Sequence, residues 1–114
     1  MAKGGYRGGM PMGARNQMQM MKQAQKMQQD VQRLQQEISE REFTAAAGGG
    51  VVKATVLGSK VVKSIEIDPA CVDPDDVEML QDLVLAAVNE ALRMADETMT
   101  SEMNRVTGGM NLGF

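Results

Sequence analysis

Apolar residues recur at spacings of 4, 3, 4, 3 and 4 through Met20, Ala24, Met27, Val31, Leu34 and Ile38. Ala24, Val31 and Ile38 fall at heptad position a, and Met20, Met27 and Leu34 at d, a seam nearly three heptads long. Residues 15–41 lack Gly and Pro and are dense in Gln, Met, Lys, Arg and Glu, which are good helix formers. The pattern predicts one helix about 40 Å long at 1.5 Å per residue.

The period then changes from helical to alternating. Phe43–Ala47 is a short strand candidate, and Gly48-Gly49-Gly50 reads as a turn or bulge. Val51–Leu57 and Val61–Ile67 are rich in β-branched residues and flank Gly58-Ser59, which reads as a two-residue hairpin turn with Gly at positive φ. That turn sets Val56 opposite Val61, Ala54 opposite Lys63 and Val52 opposite Ile65. One face is then mostly apolar, with Lys63 as its exception.

Asp68-Pro69 closes the third strand. Asp73-Pro74-Asp75-Asp76 predicts the start of a second helix, with Asp73 as N-cap and Pro74 in the first helical position. Val77, Leu80, Val84, Ala87, Ala91 and Met94 form its apolar stripe, widened by Leu83, Val88 and Ala95 for packing on a sheet. The helix is expected to reach about Arg105, with Gly108-Gly109 as its stop. The expected architecture is α+β: helix, three-stranded antiparallel sheet, helix (α-β-β-β-α). Strands of about seven residues span some 23 Å. Both helices outrun that length, which leaves the first seam uncovered and two sheet edges open. A second copy of the chain would cover both, so a two-fold homodimer is expected.

The chain has 114 residues, enough for one domain, expected over residues 15–105. Residues 1–14 hold five Gly and one Pro and read as a flexible tail, as do residues 106–114. There is no His and a single cysteine, Cys71, so histidine catalysis, histidine metal ligation and an intramolecular disulfide are excluded. Cys71 reads as a small buried thiol, consistent with a reducing cytosol. The twelve Met residues suit core filling or an adaptable contact between subunits. No apolar run approaches the ~18 residues of a membrane span, and the N-terminus has no apolar signal core.

Charge sharpens the picture. The formal net charge is −3, yet seven basic against three acidic residues leave +4 in residues 1–41, and five against twelve leave −7 in residues 42–114. Arg15, Lys22, Lys26 and Arg33 occupy heptad positions c and f, opposite the seam, and Lys3 and Arg7 extend the basic set into the tail. Lysine and arginine on one helix face fit phosphate contact, which supplies affinity through counterion release and carries no sequence information. The scarcity of aromatic residues argues against stacking on single strands. An ordinary solvated helix face is the competing reading. Asp73, Asp75, Asp76 and Glu78 are explained as helix-capping acids, and Gly48-Gly49-Gly50 lacks the Lys and Ser/Thr of a phosphate loop. No catalytic constellation, cofactor site or small-molecule substrate site is read from these residues.

Five segments together carry a resemblance: Lys22-Gln-Ala-Gln-Lys-Met-Gln, Ala47-Gly-Gly-Gly-Val-Val-Lys, Ile65-Glu-Ile-Asp-Pro, Asp73-Pro-Asp-Asp-Val-Glu-Met-Leu-Gln-Asp-Leu and Thr107-Gly-Gly-Met-Asn-Leu. In this order they resemble the YbaB/EbfC nucleoid-associated proteins of bacteria, over residues 18–112, with residues 1–14 outside. The resemblance implies a cytoplasmic, nucleoid-located homodimer with tweezer-like projecting helices that binds DNA and can influence gene expression. It transfers no residue-level DNA signature. A different class of function also fits helix–hairpin–helix subunits with coiled-coil arms: a prefoldin-like chaperone or scaffold holding unfolded clients. The third strand and the wide stripe on the second helix count against it. A ribosome- or replication-associated adaptor is a third reading.

Overall fold

The structure, a computed structural model, describes the backbone of residues 3–108 and the side chains of residues 15–108. Helix α1 (Lys3–Ser39) leads into strand β1 (Glu42–Ala47), a glycine turn at Gly48–Gly50, β2 (Val52–Leu57), β3 (Val62–Ile67), a 3-10 turn at Pro69–Cys71 and helix α2 (Val77–Val106). The α-β-β-β-α order is the one expected. The three strands form one antiparallel sheet in chain order, with β2 in the middle.

α1 has no boundary at residue 15. It takes in residues 3–14, where the sequence placed a loose tail. Extending an existing helix costs about 1 kcal/mol per Gly relative to Ala and needs no new nucleus. At its other end α1 stops at Ser39, and the amide of Arg41 donates to the carbonyl of Ile38 at 3.0 Å to turn the chain into β1. The C-terminal tail expected at 106–114 lies mostly outside the described residues; α2 ends at Val106.

The hairpin register differs from the expected one. Val52 lies opposite Ile67, Ala54 opposite Ile65 and Val56 opposite Val62, with an irregularity between Thr55 and Val56. Two physical features move it. The loop has three residues, because the amide of Leu57 donates to Val61 and that of Lys60 to Leu57, with Lys60 rather than Gly58 at positive φ (73°). The irregularity then adds one residue to β3. As a result Ile65, not Lys63, faces the Ala54 side. Lys63 ion-pairs instead with Glu42, across the outer face where Thr44 and Thr55 share a hydrogen bond of 2.9 Å.

The core lies between the inner sheet face and α2. Ala87, Ala91 and Ala95, spaced by four, are fully buried. Their small side chains let α2 approach Phe43, Ala45, Val52, Ala54 and Val56 closely. Ile38 of α1 is also fully buried, in a cluster with Phe43, Ala45, Val56, Ala91 and Ala95 against which Leu34, Leu92, Met94 and Met99 pack. α1 and α2 therefore run antiparallel beyond the sheet. Burying Ile38, Val52 and Val56 contributes about 1.5–3 kcal/mol each. Cys71 is partly buried against the second core cluster.

α2 covers β1 and β2 but not β3. Ile65 and Ile67 point to the same face as Ala54 and Val52, yet remain 41% and 38% exposed. The α2 N-cap is Asp76, which accepts from the amide of Met79 at 3.1 Å, and not Asp73. Asp73 instead accepts from the amide of Asp75 at 2.9 Å, so Asp73-Pro74-Asp75 forms an Asx turn ahead of the helix.

Candidate nucleic-acid interface

Helical geometry brings the basic residues of α1 together. At about 100° per residue, Arg15, Lys22, Lys26 and Arg33 fall within an arc of about 40°, and they spread over about 27 Å along the axis. All four are exposed. The apolar seam lies about 140° round the helix. Its Leu34 and Ile38 pack into the core, which fixes the rotation of α1 and turns the basic stripe outward. The side chains of Lys3 and Arg7 lie outside the described residues.

Ion pairing sorts these cations. Among the described residues, Arg33 bonds Asp30 at 3.2 Å and approaches Glu37 at 3.9 Å. Lys60 pairs with Asp96, Lys63 with Glu42, Arg93 with Glu90 and Glu97, and Arg105 with Glu102. Arg15, Lys22 and Lys26 have no ion pair with any described residue, and the same holds for Arg41 and Lys53. So three of the four candidates present uncompensated charge, and Arg33 does not. The sequence held that signal: Asp30 and Glu37 stand three before and four after Arg33, the spacings at which helical side chains meet. Arg41, which the predicted helix over 15–41 included, sits exposed at the corner after α1 ends at Ser39 and is a further cation without an ion pair among the described residues.

The acids of the body have structural work. Asp68 accepts from the amide of Ala70, and Asp73 and Asp76 shape the entry to α2. On α2 the Arg93 guanidinium hydrogen-bonds Glu90, which holds the Glu90 carboxyl below its usual value and raises the Arg93 pKa further. Basic charge on the α2 surface is thereby neutralised in place, and the free cations concentrate on α1.

A slender shape sets the two apart. The molecule measures 95 × 25 × 16 Å. α2 ends beside residues 23–30 of α1, where Val106 lines a shallow pocket with Gln23, Lys26, Met27 and Asp30. N-terminal to that point no other described element runs beside α1, and Met18, Met20 and Met21 are exposed. The unpaired cations thus start beside the end of α2 and continue along a part of α1 that no other described element accompanies.

The sequence profile of the YbaB/EbfC DNA-binding family matches residues 12–110. The chain is 54% identical over 112 residues to a nucleoid-associated protein of Clostridium acetobutylicum, covering 98% of this chain and 97% of the relative. It is 56% identical over 110 residues to a nucleoid-associated protein of Acetivibrio thermocellus, covering 96% and 94%. A nucleoid-associated protein of Clostridium botulinum is 56% identical over all 114 residues, covering 99% of that relative. That alignment spans the N-terminal segment as well. A crystal structure of an uncharacterized Helicobacter pylori protein matches with a TM-score of 0.55 at 21% identity, covering 78% of this chain and 96% of that one, a likeness of fold.

Proposed function

This chain belongs to the YbaB/EbfC DNA-binding family, and from that premise we propose that it is a nucleoid-associated protein that contacts duplex DNA through the outer face of α1. The observation that carries this reading is the stripe of Arg15, Lys22 and Lys26, exposed and without an ion pair among the described residues. These residues neutralise phosphates and release counterions, so binding is tolerant of sequence. Arg33, held by Asp30 and Glu37, contributes less. Lys3 and Arg7 extend the positive charge toward the start of the arm. The reading is of a binding protein and not of an enzyme.

The protein acts as a homodimer in this proposal. β3 is an open sheet edge, and Val62, Ile65 and Ile67 are exposed beside it. An unpaired strand carrying apolar side chains is the feature that a second copy covers. Two arms then project from a joined body, and the acids of α2 and of the segment before it keep DNA away from that body. The chaperone reading is not favoured: the apolar stripe of α2 is spent on the sheet and leaves little of it for clients.

A gel-shift titration of duplex DNA against salt tests the site. The Arg15→Ala/Lys22→Ala/Lys26→Ala variant is expected to lose affinity on all sequences alike, and its salt slope is expected to fall by about 1 per lost phosphate contact. Circular dichroism and sedimentation should match the parent. Unchanged affinity in this variant would place the contact elsewhere.

A further inference from the structure

Met18 and Met21 are 57% and 62% exposed on the part of α1 that no other described element accompanies. Met18 lies three residues after Arg15 and four before Lys22, and Met21 lies three after Met18, so the two side chains are neighbours on the helix surface beside unpaired cations. At about 100° per residue, the pair centres about 90° round α1 from the line of Arg15, Lys22 and Lys26, and about 120° from the seam of Met20, Ala24 and Met27. Among the described residues, neither methionine packs on a core cluster, and neither lines the groove along that seam. The surface that results is a cationic line with an apolar line a quarter turn away.

The major groove of duplex DNA presents the complement of both lines. It is about 12 Å wide, admits an α-helix, and displays the C5-methyl groups of thymine among its base edges. A bare helix is about 10–12 Å across with its side chains. With Met18 and Met21 turned to the base edges, Arg15, Lys22 and Lys26 stand to one side, spread over about 17 Å, and follow the phosphates of one strand. The minor groove, about 6 Å wide, is too narrow for a helix and carries no methyl group. Methionine is unbranched and adaptable, which suits a contact that must fit methyl groups at differing positions.

We propose that Met18 and Met21 are the base-contacting residues of α1, entering the major groove and packing on thymine methyl groups. The inference rests on the reading of α1 as the helix that meets DNA. The cations supply affinity without regard to sequence, and the two methionines add a modest bias toward thymine-rich duplex.

Replacing thymine by deoxyuridine tests it, because this removes the methyl groups and leaves the phosphates and base pairing in place. The full-length chain is titrated at one salt concentration with an A·T-rich duplex and with the same duplex carrying deoxyuridine for thymine. The parent is expected to bind the thymine duplex about threefold more tightly. Met18→Gln/Met21→Gln keeps charge and helix propensity. It is expected to bind both duplexes alike, near the parent's affinity for the deoxyuridine duplex. Met18→Leu/Met21→Leu is expected to keep the preference, and circular dichroism checks the helix content of both variants. Equal parent affinities for the two duplexes would overturn the proposal, and so would an undiminished preference in the glutamine variant or its loss in the leucine variant. The Arg15→Ala/Lys22→Ala/Lys26→Ala variant separates the two levels. If it loses affinity while the parent shows no thymine preference, only the methionine contact fails. If it keeps full affinity, the α1 reading fails and this proposal with it.

Discussion

Gly58 is pressed against Ile38: a methyl group on the Gly58 α-carbon would stand 1.9 Å from the Ile38 carbonyl oxygen. The contact joins the β2–β3 loop to the last turn of α1. The Gly58 amide donates to Arg41 at 2.9 Å and the Ser59 amide to Ser39 at 3.1 Å. The loop thereby anchors the root of the basic arm. Gly58→Ala must displace backbone rather than a flexible side chain, so it is expected to destabilise the protein by about 3 kcal/mol or more, read as a lower urea midpoint. Ile38→Ala, which empties the other side of the same joint, is expected to cost about 2–5 kcal/mol.

Asp30 and Glu37 act on Arg33 as internal counter-charges. Asp30→Asn/Glu37→Gln frees that guanidinium on the stripe and removes two negative charges beside it. DNA affinity is expected to rise, with the salt slope steeper by about 1 for the new phosphate contact. A titration at three salt concentrations reads both quantities. Unchanged affinity would show that Arg33 stands off the DNA.

Ile65 stands on the uncovered part of the inner sheet face. Ile65→Lys places a charge where the proposed second copy packs, while leaving the α2-covered core untouched. Sedimentation is expected to show a shift from dimer to monomer at micromolar concentration, with helix content largely kept. A variant that sediments as the parent does would move the dimer interface away from β3.

Glu90 and Arg93 carry a small pH dependence with a definite sign. The folded carboxyl titrates below its usual value of 4.5, so its contribution is present above that pH and is lost as pH falls through the lower folded value. Arg93→Met removes the contribution. Parent and variant are expected to differ in thermal midpoint at neutral pH and to converge as the solution is acidified below 4.5. Both side chains are exposed, so the difference is small.

Element types were legible in the sequence because they rest on local periodicity. The 4-3 spacing of α1, the β-branched runs and the α2 stripe each appear where expected. Details set by turn chemistry were less legible. The hairpin register moved because Lys60, not Gly58, takes the positive φ. Gly58 is required for its closeness to Ile38, a contact between residues twenty positions apart in the chain. The α2 cap moved from Asp73 to Asp76 because four acid or proline positions in a row offer several alternatives, and only the path of the chain after β3 chooses among them.

The sequence by itself determined that the cations of α1 share one face, since a helix of fixed pitch leaves no other outcome. It also determined the family, through an ordered set of segments. The helical pairs of Arg33, Arg93 and Arg105 are local and legible in the spacing, whereas the pairing of the hairpin lysines was a tertiary matter. Lys60 meets Asp96 and Lys63 meets Glu42 only because hairpin and helix are folded against one another. The same folding left β3 uncovered, because α2 sits over two strands and its alanine ridge packs closely there. The open face of β3 follows from that placement.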